Sequence, residues 1–226
     1  MPAHLRHRAP LWFPPASSAD EEGLVAIGGD LSTARLLLAY DSGIFPWYDE
    51  GLPPLWWSPN PRTVLSPETL HVSRSLARTL RRAPFRLTWD AAFPAVIRAC
   101  GDRPGHGTWI IPEMIEAYER LYRLGHAHSV EAWDGDTLAG GLYGVHRGGL
   151  FAAESMFHRV TDASKVALVA AVRSLFRAGI EVFDVQMTTA HLASLGSQEW
   201  TRDRYLERVA AVRTKPVVLG GIDIRV

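Results

Sequence analysis

The sequence predicts an α+β fold: a small N-terminal domain over residues 1–62, then a larger domain over 63–226 built on a mixed, mainly antiparallel sheet. Three observations predict it. Prolines, tryptophans and glycines crowd the chain up to about residue 62. Beyond that point helical and strand patterns alternate. In the middle, two short turns, Asp134-Gly135-Asp136 and Arg147-Gly148-Gly149, separate three apolar runs, which is the pattern of antiparallel hairpins. With 226 residues, 47% hydrophobic and 21% charged, the chain can bury a core, and a low-complexity or disordered protein is excluded.

The N-terminal region shows one clear helix, capped by Ser32, apolar through Leu36 to Tyr40 and stopped by Gly43. Around it lie Phe13-Pro14-Pro15, Ile44-Phe45-Pro46-Trp47 and Pro53-Pro54-Leu55-Trp56-Trp57-Ser58-Pro59. Proline fixes the backbone and removes a donor, so these segments are expected as rigid loops. The larger region predicts a strand at 62–65, a helix at 73–82, a strand at 85–89 and helices at 90–100 and 112–124, the last between Pro112 and Gly125. The apolar runs His128 to Trp133, Thr137 to Val145 and Leu150 to Glu154 are three strands. A helix at 163–178 stopped by Gly179, a strand at 180–186 and a helix at 201–212 complete the order, which suits a sheet of the GNAT acyltransferase type.

Charge and cysteine content narrow the chemistry. The 24 basic and 24 acidic residues cancel, so contact with nucleic acid must be local. Cys100 is the single cysteine, which excludes an intrachain disulfide and a cysteine-based zinc site. No apolar run is long enough for a signal peptide or the ~20 residues of a membrane span, so a cytoplasmic location without membrane contact is expected.

Three groups of residues are candidates for function. Arg62, Arg74, Arg78, Arg81, Arg82 and Arg86 face a single acid, Glu68, within residues 62–86. On a helix Arg74, Arg78, Arg81 and Arg82 share one side, with Val72, Leu76 and Leu80 opposite, so the face is either a phosphate-binding surface or a solvated one. Tyr40, Phe45, Trp47, Trp56 and Trp57 form an aromatic group among prolines. It suits base stacking, worth about 1–3 kcal/mol per base, although Trp56 and Trp57 also suit a small aromatic core. Finally, Glu154 ends an apolar run, and Asp184 and Gln186 interrupt another, facing the same way by strand alternation. They form either a structural hydrogen-bond pair or a site at the end of the sheet.

Together these strings resemble the leucyl/phenylalanyl-tRNA–protein transferase family. The resemblance rests on Gly28-Gly29-Asp30-Leu31, Gly43-Ile44-Phe45-Pro46-Trp47, Trp56-Trp57-Ser58-Pro59-Asn60-Pro61-Arg62 and Gly107-Thr108-Trp109-Ile110. It continues through Gly140-Gly141-Leu142-Tyr143-Gly144-Val145, Glu154-Ser155-Met156-Phe157, Ala163-Ser164-Lys165, Asp184-Val185-Gln186 and Ala193-Ser194-Leu195-Gly196. The tail after Leu206 matches little, and Ala171 is smaller than a pocket wall would require. The resemblance implies a GNAT-like catalytic domain that moves Leu or Phe, less readily Met, from leucyl-tRNA or phenylalanyl-tRNA to proteins beginning with Arg or Lys, marking them for degradation by the N-end rule. It also implies that Trp47 stacks the terminal adenine with Tyr40, Phe45 and Trp109 nearby, and that Glu154 meets the amine of the aminoacyl group. Leu142, Phe151, Leu168 and Leu175 would line the side-chain pocket, and Arg81 and Arg82 would hold the acceptor stem.

An aminoacyl ester is already activated, so neither ATP, a metal nor another cofactor is expected, and a monomer would suffice. An α-amino group with a pKa near ~7.7–8.0 is partly neutral at pH 7, so positioning carries most of the catalysis, about 7–11 kcal/mol at best. Gln186 is expected to accept a hydrogen bond from the attacking amine, oriented by Asp184, with Asp184 as the group able to hold the proton. A coenzyme-A acetyltransferase would need a glycine-rich pyrophosphate turn before the helix near residue 163, where Val160-Thr161-Asp162 stands instead. A non-enzymatic RNA-binding module would leave Glu154, Asp184 and Gln186 without a purpose.

Overall fold

The computed structural model of the chain describes residues 3–5, 11–103, 105 and 107–226. A first sheet joins β1 (Ala3–Leu5), β2 (Leu24–Gly28), β3 (Phe45–Pro46) and β4 (Leu55–Trp57) in the order β1-β2-β4-β3, with α1 (Thr33–Asp41) between β2 and β3. Trp56 and Trp57 therefore lie in a strand, not in the loop expected from the flanking prolines. Pro53, Pro54 and Pro59 stand just outside the ladder, where a missing N–H costs nothing. Trp56 is fully buried, edge-on to Phe13 at 4.8 Å, and its indole N–H donates to the Gly28 carbonyl at 2.8 Å. Ser32 caps α1 through the Arg35 N–H, as expected. Gly43 ends it at φ +73°, where an added Cβ would lie 2.4 Å from Leu206.

A second sheet holds β5 (Arg62–Leu65), β6 (Arg86–Trp89), β7 (Ala127–Asp134), β8 (Thr137–Arg147), β9 (Leu150–His158), β10 (Val182–Gln186) and β11 (Gln198–Trp200). Its order is β11-β5-β10-β9-β8-β7-β6, antiparallel throughout except for the parallel pair β9–β10. The helices are α2 (Arg74–Arg82), α3 (Phe93–Gly101), α4 (Pro112–Arg123), α5 (Ala163–Arg177), α6 (Ala190–Ser194) and α7 (Arg202–Val212). The expected α+β class and mixed, mainly antiparallel sheet are found. β9 runs four residues beyond the expected Glu154, to His158, and α6 and β11 are additions to the expected order. The helix expected from residue 90 begins at Phe93, because Asp90 has φ +56° and the Ala91 and Ala92 N–H groups turn to Glu131.

Helices cover both faces of the second sheet. α2 and the almost wholly buried α5 pack with Leu142, Phe151 and Phe183 on one side. On the other, α3 and α4 share one apolar core with α1, Tyr143, Val145, Ala152 and the first sheet. Burial of apolar area on both faces at about 25 cal/mol per Å² supplies the main driving force. Among the described residues no helix is long and apolar enough to cross a membrane.

Candidate active site

The parallel pair β9–β10 is registered only as far as Asp184 opposite Ala152. Immediately beyond, each strand carries a bulge. β8 pairs Tyr143 with Ser155 and Gly144 with Ala153, so Glu154 has no partner in the ladder. β5 pairs Val64 with Asp184 and Thr63 with Gln186, so Val185 is skipped. Bulges bend a strand and re-aim its side chains. Gly144 permits the first one: a Cβ there would lie 2.4 Å from the Ala152 carbonyl oxygen and 2.6 Å from the Phe151 ring.

Where the strands part, a cleft of about 520 Å³ opens, within the range of small-molecule sites. Phe45, Pro46, Trp47 and Trp109 form one wall, Glu154 and Gln186 the polar floor, and Leu142, Met156, Leu168, Val185 and Leu192 an apolar wall. Arg103, His158 and His191 stand at its rim. Trp47 is 39% exposed, tilted against Trp57 at 6.1 Å, and the Trp57 indole N–H donates to the Trp47 carbonyl at 2.7 Å.

Glu154 is held from two sides. Its Oε1 accepts from the Gln186 amide nitrogen at 3.0 Å and its Oε2 from the Tyr118 hydroxyl at 3.1 Å. Tyr118 in turn lies 2.5 Å from the buried Tyr40 hydroxyl, and since each hydroxyl has one proton, the chain runs Tyr40 to Tyr118 to Glu154. Burial pushes the Glu154 carboxyl up to about 8; the tyrosine hydroxyls pull against this, and the nearby Asp184 charge adds to it. Burial together with the Glu154 charge keeps both tyrosines well above their ordinary range, so they act as donors and not as acids.

Asp184 is turned away from this arrangement. It is fully buried and absent from the cleft wall. Arg62 Nε and Nη2 meet its two oxygens at 2.8 and 2.6 Å, and the Tyr205 hydroxyl donates to Oδ2 at 2.8 Å. Asp184 and Gln186 therefore do not present one polar face: the bulge breaks the alternation on which that expectation rested. What joins them is the Gln186 backbone N–H, which donates to Asp184 Oδ1 at 2.9 Å. Gln186 itself sits at φ +59°, an uncommon conformation for a non-glycine residue. The expectation of Asp184 as proton holder gives way for the same reason, since both its oxygens are engaged by a guanidinium, a phenol and an amide.

The remaining expected residues divide. Phe45, Trp47, Trp109, Leu142, Leu168, Glu154 and Gln186 meet at the one cleft. Tyr40 lies behind it, touching the site through Tyr118. Phe151 on β9 and Leu175 and the small Ala171 on α5 are fully buried where that helix packs on the sheet and do not reach the cleft. Arg74, Arg78, Arg81 and Arg82 are exposed on α2, opposite the buried Leu76, and make no salt bridge among the described residues. Arg62, counted with them by position, is 1% exposed and belongs to the interior. Tyr118 is the functional neighbour that sequence reasoning missed; its spacing from Met114, Ala117 and Leu121 on α4 is the available signal that it points inward. Among the described residues no group of three or more His, Cys, Asp or Glu is placed to hold a metal ion.

This chain is similar to one family along most of its length. The model described as leucyl/phenylalanyl-tRNA protein transferase matches residues 64–210, and the one described as the N-terminal domain of that transferase matches residues 29–60. Curated leucyl/phenylalanyl-tRNA–protein transferases align across nearly the whole chain. One from Anaeromyxobacter sp. (strain Fw109-5) is 55% identical over 215 residues, covering 94% of this chain and 92% of the relative. One from Syntrophobacter fumaroxidans is 55% identical over 203 residues (88% and 87%), and one from Citrobacter koseri 49% over 208 (92% and 89%).

Proposed function

Since the chain belongs to the leucyl/phenylalanyl-tRNA–protein transferase family, we propose that its cleft receives the aminoacylated 3′ end of a tRNA and brings the ester to Glu154 and Gln186. The enzyme is an aminoacyl-tRNA–protein transferase, moving Leu or Phe from tRNA to a protein. One observation carries the assignment of residues: an exposed indole, an apolar wall and a carboxylate–amide pair line a single cleft.

In this reading the terminal adenine stacks on Trp47, whose tilt Trp57 fixes, with Trp109 and Phe45 beside it. The Leu or Phe side chain lies against Leu142 and Leu168, joined by Met156, Val185 and Leu192. Each CH₂ buried there contributes about 0.8 kcal/mol, which ranks Leu and Phe above Ala. Glu154 meets the donor's α-ammonium, and an arriving cation draws it into the ionised form. Gln186 gives its amide N–H to Glu154, so its carbonyl oxygen is oriented to accept a hydrogen bond from the attacking amine. The amine nitrogen forms the bond to the ester carbon as the bond to the ribose oxygen breaks, and the nitrogen's proton ends on that oxygen.

Arg74, Arg78, Arg81 and Arg82 contact phosphates of the acceptor stem. Acceptors begin with Arg or Lys, and the modification marks them for degradation. Residues 1–62 form the small domain that supplies the stacking indole, and 63–226 the catalytic domain. The reaction belongs in the cytoplasm, where charged tRNA is found, and a monomer suffices because one chain lines the whole cleft. The test is incubation with radiolabelled leucyl-tRNA and peptides beginning with Arg, Lys or Ala. Label on the Arg and Lys peptides alone is expected; label on none removes the activity, and equal label on Ala removes the acceptor specificity.

A further inference from the structure

Arg62 is a buried guanidinium with every face occupied. Its Nε and Nη2 hold Asp184 in a two-pronged ion pair, Nη1 donates to the Gly43 carbonyl at 3.2 Å, and Nη2 also reaches the Tyr205 hydroxyl at 3.2 Å. The rings of Phe45 and Tyr205 lie 4.8 and 4.4 Å from its central carbon. Its contacts come from three places: the segment after α1, the end of β10, and α7. Removing two charges from water is costly, and a buried ion pair of this kind adds little net stability over an apolar pair of the same volume. Stability therefore does not account for it.

Its position does. Asp184 Oδ1 accepts from Arg62 Nε and from the Gln186 N–H together. That N–H lies at the bulge and belongs to a residue at φ +59°, and its partner is this carboxylate. Such a conformation is unfavourable for a non-glycine residue and persists only where its surroundings impose it. A lone carboxylate could swing away from the N–H. Fixed by a planar fork, it cannot, and lysine, a single point charge, would not reproduce the constraint.

We propose that Arg62 is a positioning residue for transfer, acting through Asp184 to hold the Gln186 backbone in the left-handed conformation that aims its amide at Glu154 and the attacking amine. This rests on the role given above to Gln186. The guanidinium touches neither substrate nor reacting atoms, and its seat between Phe45 and Tyr205 keeps the fork in one orientation.

The test is a set of four variants assayed at saturating leucyl-tRNA with an Arg-initial peptide: Arg62→Lys, Gln186→Ala, the two combined, and the apolar pair Arg62→Met with Asp184→Leu. Misplacement by about an ångström costs ~100-fold in rate, so Arg62→Lys is expected to lower kcat by about that factor while KM for leucyl-tRNA stays within about threefold. In the Gln186→Ala background the same change should cost less than about threefold, because its effect passes through a group already removed. The Met/Leu pair should unfold at or above the wild-type urea midpoint and yet remain slow. An equal kcat loss in both backgrounds, a loss confined to KM, or a Met/Leu variant within threefold of wild-type kcat would each overturn the proposal. If Arg62→Lys does not fold, the Met/Leu pair decides alone. Normal turnover by Gln186→Ala would instead sink the role of Gln186, a failure of the earlier reading visible before any Arg62 variant is compared.

Discussion

Glu154→Gln isolates the electrostatics of the cleft. The side chain stays the same size and keeps an oxygen for Tyr118 or Gln186, but it no longer titrates. In the wild type, burial moves the carboxyl from 4.5 in the unfolded chain to about 8 in the fold. Between those values the folded protein holds a proton that the unfolded chain has released, so stability must fall as pH rises through this window. Each unit of pH inside it is worth about 1.4 kcal/mol. Between pH 5 and 7 wild-type stability should therefore drop by roughly 2–3 kcal/mol relative to Glu154→Gln, and the two curves should run parallel well above pH 8. Urea denaturation at pH 5, 6, 7 and 8 at constant ionic strength measures this directly. Parallel curves across pH 5–8 would mean that Glu154 is ionised in the empty cleft, and the account of its burial would be wrong. If the drop is seen, an uncharged acid awaits the donor's ammonium. Donor binding near pH 7 then releases a proton, detectable as a buffer-dependent heat in the wild type and absent in Glu154→Gln.

Three further outcomes test the rest of the site. Trp47→Ala should raise KM for leucyl-tRNA by roughly 5- to 150-fold, the equivalent of ~1–3 kcal/mol of stacking, with kcat at saturation little changed; steady-state kinetics reads both. Leu142→Glu, which places a charge on the apolar wall, should abolish transfer while filter binding shows tRNA affinity within about threefold of wild type, because backbone contacts dominate that affinity. Arg81→Ala with Arg82→Ala should weaken tRNA binding and flatten its dependence on log salt by about two if each arginine meets one phosphate. An unchanged salt slope would return that face of α2 to ordinary solvated surface.

Much of the fold was legible because its signals are local. Ser32 and Ser73 are followed by helices they cap, Pro112 opens α4, and the 134–136 and 147–149 turns sit between β7, β8 and β9. β4 escaped because prolines flank it closely; only the partners Ala26 and Pro46, distant in sequence, reveal that Trp56 lies inside a sheet. Arg62 escaped for a related reason. Beside Pro61 and upstream of four exposed arginines it resembles surface charge, and nothing local announces a carboxylate 122 residues later. Phe151 and Leu175 were expected at the cleft and lie in the core, since apolar character alone does not say which side of a buried helix or strand is hollow.

The deepest reason the site was only partly legible is that it exists where sheet regularity fails. Period-two alternation assigns Asp184 and Gln186 to one face, and it would be right for an unbroken strand. A continuous β9–β10 ladder, however, would leave no cleft at all. Opening one forces the strands apart after Ala152 and Asp184, which strips backbone groups of their ladder partners and leaves them either to find others or to pay for burial. The Gln186 N–H finds the Asp184 carboxylate, that carboxylate requires a fixed cation, and Arg62 is the one whose fork reaches both of its oxygens. Across the gap, Glu154 and Gln186 replace lost main-chain bonds with a side-chain bond. The polar groups that chemistry needs and those that repair the broken sheet are thus one connected set, from Tyr40 to Glu154, Gln186, Asp184 and Arg62. That connection is why a substitution at the buried, substrate-remote Arg62 is expected to act on turnover.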